Sequence, residues 1–266
     1  MKIILILILI ITCPYVIASS SFVDLDQAEP AERRRVLQEL IPTHPLMVQH
    51  LYQIIKDTSE ILTYFDIDYW ACFGTLLGAV RHEPGGLIPW DDDGDLALDK
   101  KDEEKLNQPA VKEMFSKLGY NLFSDEGLEE DFVGYKVYQK SKVDLGDRKV
   151  WIFLDLFLFE REGDKYVLSR PSGRARWPKS WFTVEEVQTK RDYQFGGITL
   201  RGPADPSLSC MREYGVEWNT LALYYFTHIG GTAITKYKWQ LTSTEDRAPS
   251  LPREPLEDRV AKLLAL

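Results

Sequence analysis

Cysteine, positive charge and long apolar runs are all scarce in this chain, and each shortage excludes something. Three cysteines in 266 residues cannot build a zinc site of four thiolates. Lysine and arginine total 32 against 41 acidic residues, a net charge of −9. An acidic chain without a basic run is a poor nucleic-acid binder, so no nucleic-acid partner is expected. The longest apolar run, Ile3 to Ile11, has nine residues, well short of the ~20 that a spanning helix needs. No Asn-x-Ser/Thr acceptor occurs, because Asn107, Asn121 and Asn219 all have the wrong neighbours. There are no internal repeats. What is present is ordinary for a packed domain: 44% apolar, 12% aromatic and seven tryptophans.

The N-terminus has the layout of a secretory signal peptide. Lys2 precedes the apolar run, Cys13-Pro14 breaks it, and Val16-Ile17-Ala18 leads to a cleavage point after Ala18. The expected address is the secretory lumen, Golgi or ER, or the exterior; a retained N-terminal anchor is the alternative. With residues 1–18 removed, no transmembrane span is expected. Cleavage also removes Cys13 and leaves Cys72 and Cys210, either as one disulfide or as two buried thiols. Residues 19–45, polar and broken by prolines, read as a linker or loose arm. Residues 46–242 read as one domain, and 243–266, rich in proline and charge, as a flexible tail.

Within the domain, Met47, Leu51, Ile54, Ile55, Ile61, Leu62 and Phe65 recur at helical spacing and predict an amphipathic helix ending near Asp66. "YWACFG" predicts a short buried strand and "TLLGAVRH" a helix. A polar helix follows from Lys101 to Leu118, with Pro109 as a point of division and Gly119 as its stop. "FVGYKVYQK", "VWIFLDLFLF", "DKYVLSR" and "FGGITLRGP" predict strands, the second buried on both faces. Asp205, Pro206 and Gly215 frame a later helix. Helices and strands mixed in this way predict an α+β domain.

The chemistry concentrates in "IPWDDDGDLAL", residues 88–98, where Asp91, Asp92, Asp93 and Asp95 lie between apolar flanks. Read as one strand, Asp91, Asp93 and Asp95 share a face at ~6.5 Å intervals while Asp92 and Gly94 point away. Crowded carboxylates repel, and desolvation aggravates this. A hard divalent cation, Mg²⁺ or Mn²⁺, answers both problems and keeps open positions for phosphate. A solvated acidic loop is the bland alternative, weakened by the apolar flanks. An EF-hand fails, since Leu96 stands at its glycine position and Asp102 at its glutamate position. Asp155 is the lone charge in "WIFLDLFLF" and needs a partner: an arginine, or the same metal. Gly74-Thr75 opens the helix just upstream, a geometry that binds anions.

The string "GTLLGAVRHEPGGLIPWDDDGDLAL", followed in order by "FLDLFLF", "RWPKSWF", "FGGITLRGP" and "YGVEW", resembles the LicD/fukutin-related family. The resemblance spans Asp68 to Asn219. It implies a nucleotidyltransferase-like mixed β-sheet flanked by helices in a single domain. It also implies a metal-dependent transferase that moves a phospho-alcohol, of the phosphocholine or ribitol-phosphate type, from a CDP-activated donor to a glycan hydroxyl, releasing CMP. On that resemblance Asp93, Asp95 and Asp155 are the metal ligands, and Asp91 an accessory acid. Gly74 and Thr75 cradle donor phosphate. From the residues alone, Arg81 reaches a phosphate or lies on the surface, and Trp90 stacks on substrate or joins the core. His82 reads as a helix cap. Lys136, Trp177, Lys179 and Trp181 are weaker pocket candidates. Two departures stand out: Glu83-Pro84 is extra, and Gly94 replaces a branched apolar residue. Two other readings share the metal: a UDP-sugar glycosyltransferase and an inactive binding module.

Overall fold

Residues 22–40, 43–127, 133–227 and 231–265 are described in a computed structural model of the chain. The expected signal segment lies outside the described residues. The chain enters through β1 (Val23–Asp24) and α1 (Pro30–Glu39), then α2 (Pro45–Tyr64). Pro45 takes the first helical position of α2, where its missing N–H costs nothing. The predicted apolar stripe is buried: Met47, Leu51, Ile54, Ile55, Ile61 and Leu62 have almost no exposure. At its C-terminal end Asp66 adopts a positive φ and α2 stops.

The stripe lies against a mixed sheet. Its strands are β2 (Tyr69–Ala71), β3 (Asp95–Asp99), β4 (Tyr120–Ser124) and β5 (Gly134–Gln139). After a minor ladder, β6 (Val143–Asp144) with β7 (Lys149–Val150), come β8 (Phe153–Glu162), β9 (Lys165–Leu168) and β10 (Trp181–Thr183). The order is β10-β9-β8-β3-β2; β5 pairs with the first half of β8 on the edge that β9 occupies further along, with β4 beyond it. β3 and β8 run parallel, and the other pairings are antiparallel. Leu154, Leu156, Leu158 and Phe159 of β8 are fully buried, as a strand covered on both faces requires. Trp70 packs among Phe159, Tyr166 and Phe182 at centroid distances of 5.8 Å. The helix α3 (Phe73–Arg81) follows β2 directly. A hairpin of β11 (Lys190–Phe195) and β12 (Ile198–Pro203) precedes the helix Ser207–Tyr214, whose stop is Gly215 at φ 89°. Pro109 divides the polar helical region as expected, heading the helix Pro109–Lys117.

Two segments differ from the sequence reading. The arm is structured: β1 adds in parallel to β14 (Gly231–Gln240), which pairs with β13 (Leu221–Thr227). Leu25 and Val36 bury themselves with Ala222, Tyr224, Trp239 and Leu241 in a second small core. Only two or three apolar anchors do this, too few to stand out in a charged stretch. The C-terminal segment also packs. The Ser250 N–H donates to the Leu87 carbonyl at 2.9 Å, and the Glu83 N–H to the Arg247 carbonyl at 3.0 Å. Tyr52 Oη donates to the Ser250 carbonyl at 2.7 Å. The helix Arg259–Leu264 places Val260 in the main core. Hydrogen bonds that each use a main-chain group hold much of this segment, some with a side-chain partner such as Tyr52, and composition carries little trace of them.

Candidate active site and metal centre

The parallel pairing of β3 with β8 sets Asp95 directly beside Asp155. The Asp155 N–H donates to the Gly94 carbonyl at 2.8 Å, so the ladder extends one residue before β3. Asp93 completes a triad with Asp95 and Asp155: one ligand oxygen from each lies within 4.8 Å of the others, and all three residues are buried. Asp91, Asp92 and Asp93 form a second triad on the same distance criterion. Asp93 is common to both.

The strand begins only at Asp95. Before it, the Asp91 N–H closes a turn on the Ile88 carbonyl at 2.9 Å and residues 92–94 run irregularly, so the period-two alternation expected for them does not apply. Asp92, which alternation would point away, is buried with its neighbours. Thr43 of the arm pins this turn by donating its hydroxyl to the Asp91 carbonyl at 2.5 Å. Gly94 has a packing reason: a Cβ there would lie 2.8 Å from Leu154 Cδ1 and 3.0 Å from Ile55 Cδ1. A side chain at this position would have to displace the buried tips of Leu154 and Ile55.

The N-terminus of α3 faces these acids. The Gly74 N–H donates to Asp95 Oδ2 at 3.1 Å, and Thr75 Oγ1 accepts from the Asp95 N–H at 2.8 Å. A carboxylate at a helix N-terminus is stabilised by the orphan N–H groups and the helix dipole. The predicted phosphate cradle is therefore, in the first instance, a cradle for Asp95, and Thr75 is buried against the strand. A Cβ on Gly74 would sit 2.5 Å from Asp91 Oδ2, so any larger residue there would displace that carboxylate. Lys136, opposite Asp155 in the β5–β8 register, forms an ion pair with Asp155 Oδ1. Where an arginine or the metal is expected as the partner of Asp155, the fold supplies a lysine, beside the acids that could hold the metal.

The remaining candidates fall further out. Arg81 is buried at the end of α3, held near the Leu221 carbonyl and His82 Nε2. Burial pushes its guanidinium down to about 10, and the Asp91 charge acts in the opposite direction. It is not a surface arginine. His82 caps α3, with Nδ1 3.0 Å from the Arg247 carbonyl; burial pushes it down to about 3, so it is neutral. Trp90 packs edge-on against Trp239 at 5.0 Å and Tyr224 at 6.1 Å, which joins it to the second core. Trp177 packs on Phe73 and Phe157 at 6.0 and 5.6 Å, beside the Asp155 strand. Trp181 is stacked between Lys165 and Arg212. Cys72 and Cys210 are both free and buried.

Both triads consist wholly of carboxylates, the donor set that hard divalent cations such as Mg²⁺ and Mn²⁺ prefer. The residues fit such an ion.

A model of the LicD/FKTN/FKRP nucleotidyltransferase domain matches residues 66–205. The chain belongs to the LicD/FKTN/FKRP family. The match contains both triads, Gly74, Thr75 and Lys136; the second small core and the C-terminal segment lie largely outside it. An uncharacterized protein of Rickettsia prowazekii is 34% identical over 215 residues, covering 79% of this chain and 72% of that protein. One of Rickettsia typhi is 35% identical over 214 residues, 79% of this chain and 61% of that protein. The lipopolysaccharide cholinephosphotransferase LicD of Haemophilus influenzae is 30% identical over 112 residues, 38% of this chain and 41% of that enzyme. Among solved structures, ANT(2")-Ia in complex with adenylyl-2"-tobramycin is similar with a TM-score of 0.32 and 14% identity, over 57% of this chain and 67% of that one. Family membership makes transferase chemistry of the phosphotransferase type the coarse reading for this LicD-family chain. Among the described residues no helix is long and apolar enough to cross a membrane.

Proposed function

We propose that the protein is a metal-dependent transferase that moves a phospho-alcohol from a CDP-activated donor to a glycan hydroxyl and releases CMP. The observation that carries the reading is the buried convergence of Asp93, Asp95 and Asp155 from the segment leading into β3 and from two parallel strands. The family relationship to a cholinephosphotransferase supports a phosphocholine-type group, and a ribitol-phosphate-type group is the other member of the class that the sequence resemblance implies. The N-terminal signal-like segment supports a lumenal or secreted address.

Phosphoryl transfer depends on alignment and charge neutralisation more than on covalent help from the protein. Asp93, Asp95 and Asp155 would hold Mg²⁺ or Mn²⁺, with Asp91 and Asp92 extending the set through Asp93. A bound divalent ion supplies Lewis-acid stabilisation of the pyrophosphate being cleaved. The chain's own work is to fix these ligands: α3 orients Asp95, β5 orients Asp155, and Thr43 holds the turn. The acceptor hydroxyl's proton passes to a carboxylate. Asp155 is one of the three acids that would be taken up by the metal, whereas Asp91 lies outside that triad and is the least buried of the acids, so Asp91 takes that role. Gly94, the feature that favours an inactive binding module, is accounted for by packing and gives that reading no support.

The test is CMP release from CDP-choline and CDP-ribitol with Mg²⁺, Mn²⁺ or EDTA, with Asp93→Asn and Asp155→Asn alongside. Metal-dependent release that disappears in both variants is expected. Release from neither donor, together with thermal stabilisation by UDP and none by CDP, would transfer the reading to a UDP-sugar enzyme.

A further inference from the structure

The ion pair between Lys136 and Asp155 places an ammonium on a carboxylate that the proposed metal also needs. Its position is fixed by the fold. Lys136 stands opposite Asp155 in the antiparallel β5–β8 ladder, and Asp155 stands beside Asp95 in the parallel β8–β3 ladder. The lysine is mostly enclosed, with 13% of its side chain exposed, and Asp155 has 8%. Its ammonium also lies 4.8 Å from the centre of the Phe153 ring. An ammonium and a divalent cation cannot share a carboxylate at contact distance without strong mutual repulsion. Lysine is suited to leave: its charge is compact, its stem is flexible, and its three donors reorient freely.

We infer that Lys136 is a positioning residue that occupies Asp155 until metal and donor arrive, and then transfers its ammonium to a phosphate oxygen of the donor. This rests on the metal site proposed above. The metal-free cluster keeps a cation on Asp155, so its acids stay together without a divalent ion. When the metal arrives, Asp155 exchanges one cation for another. The released ammonium finds its counter-ion in the pyrophosphate, the only new anion that enters with the substrate. Metal and donor binding thereby become coupled: Lys136 opposes the first and favours the second.

The experiment measures Mn²⁺ binding to the full chain by electron paramagnetic resonance, first alone and then with CDP as the probe, in wild type, Lys136→Met, Lys136→Gln, Lys136→Arg and Asp95→Asn. Lys136→Met is expected to bind Mn²⁺ about tenfold more tightly without CDP, because a competing unit charge a few ångströms away is gone. It is expected to bind CDP about tenfold more weakly with Mn²⁺ saturating. Lys136→Arg keeps the charge and should stay within about threefold of wild type in Mn²⁺ affinity, while Lys136→Gln removes the charge but keeps a polar stem, should shift both affinities as the methionine variant does, and covers the case in which that variant does not fold. A purely structural ion pair would move Mn²⁺ affinity down or leave it unchanged in Lys136→Met, and either result overturns the inference. Tighter Mn²⁺ with unchanged CDP affinity overturns the transfer to phosphate. Wild-type Mn²⁺ binding that Asp95→Asn leaves intact overturns the metal site itself, and this inference with it.

Discussion

Replacing Arg259 with methionine should destabilise the domain by about 2 to 3 kcal/mol, although the residue lies in the C-terminal segment. Asp57, on α2, has no exposed surface. Its carboxylate accepts from Tyr120 Oη at 2.7 Å and Gln53 Nε2 at 2.9 Å, and Arg259 completes the set at 3.2 Å. Arg259 also lies over the Tyr120 ring and donates to the Leu118 carbonyl. At this separation and an effective dielectric of ~20, the gross attraction is about 5 kcal/mol. The arginine side chain is 28% exposed, so water screens part of this, and the other two donors remain. The net loss therefore falls at or below the lower end of the ~3–5 kcal/mol seen when a buried pair loses one partner. The sign of the pH dependence follows from Asp57. Burial raises its pKa above the ordinary carboxylate value, while Arg259 pulls it back. A carboxyl raised in the folded state favours folding fully below its unfolded value and loses that contribution as pH rises through the folded value. Without Arg259 the rise is larger, so the deficit should be greater at pH 7 than at pH 4.5. Urea unfolding at both pH values, in a double-mutant cycle with Asp57→Asn, measures this. The expected coupling is at least ~1 kcal/mol. A loss under about 0.5 kcal/mol at pH 7, or no coupling, would refute the account of a buried carboxylate held by the C-terminal segment.

Gly94→Val should cost about 1–3 kcal/mol by overpacking Leu154 and Ile55, and should weaken Mn²⁺ binding because Leu154 precedes Asp155; a thermal melt with Mn²⁺ titration reads both, and an unchanged melting temperature would sink it. Cys72 and Cys210 should resist Ellman's reagent at pH 8 in the native chain and react in guanidinium, since burial raises both thiols, Cys210 to about 12. Fast native labelling of either would contradict their placement.

Much of the site is visible in local sequence. "DDDGD" and the isolated Asp155 each violate the rule that buried charge is rare, and two violations with one remedy point to one site. Gly74-Thr75 marks the helix entry correctly. What they bind could not be seen, because Asp95, a partner twenty residues away, occupies the Gly74 N–H. Asp92 was misplaced by assuming a strand that starts four residues early; no local signal separates an irregular run from a strand in "WDDDG". Gly94 looks like a defect in sequence and proves to be a contact requirement, which depends on Ile55 and Leu154 from distant segments. Lys136 is one lysine among many until strand register sets it opposite Asp155.

By itself the sequence determined the helix and strand periodicities, the breaks at Pro109 and Gly215, and the acids proposed to hold the metal. These follow from local rules: periodic burial, backbone freedom, and the cost of unpaired charge. Tertiary structure alone decided that Asp93, Asp95 and Asp155 meet, that Lys136 joins them, and that the arm and C-terminal segment close the domain. Parallel pairing of strands roughly sixty residues apart, and hydrogen bonds between main-chain groups that every residue carries, leave no mark on residue type.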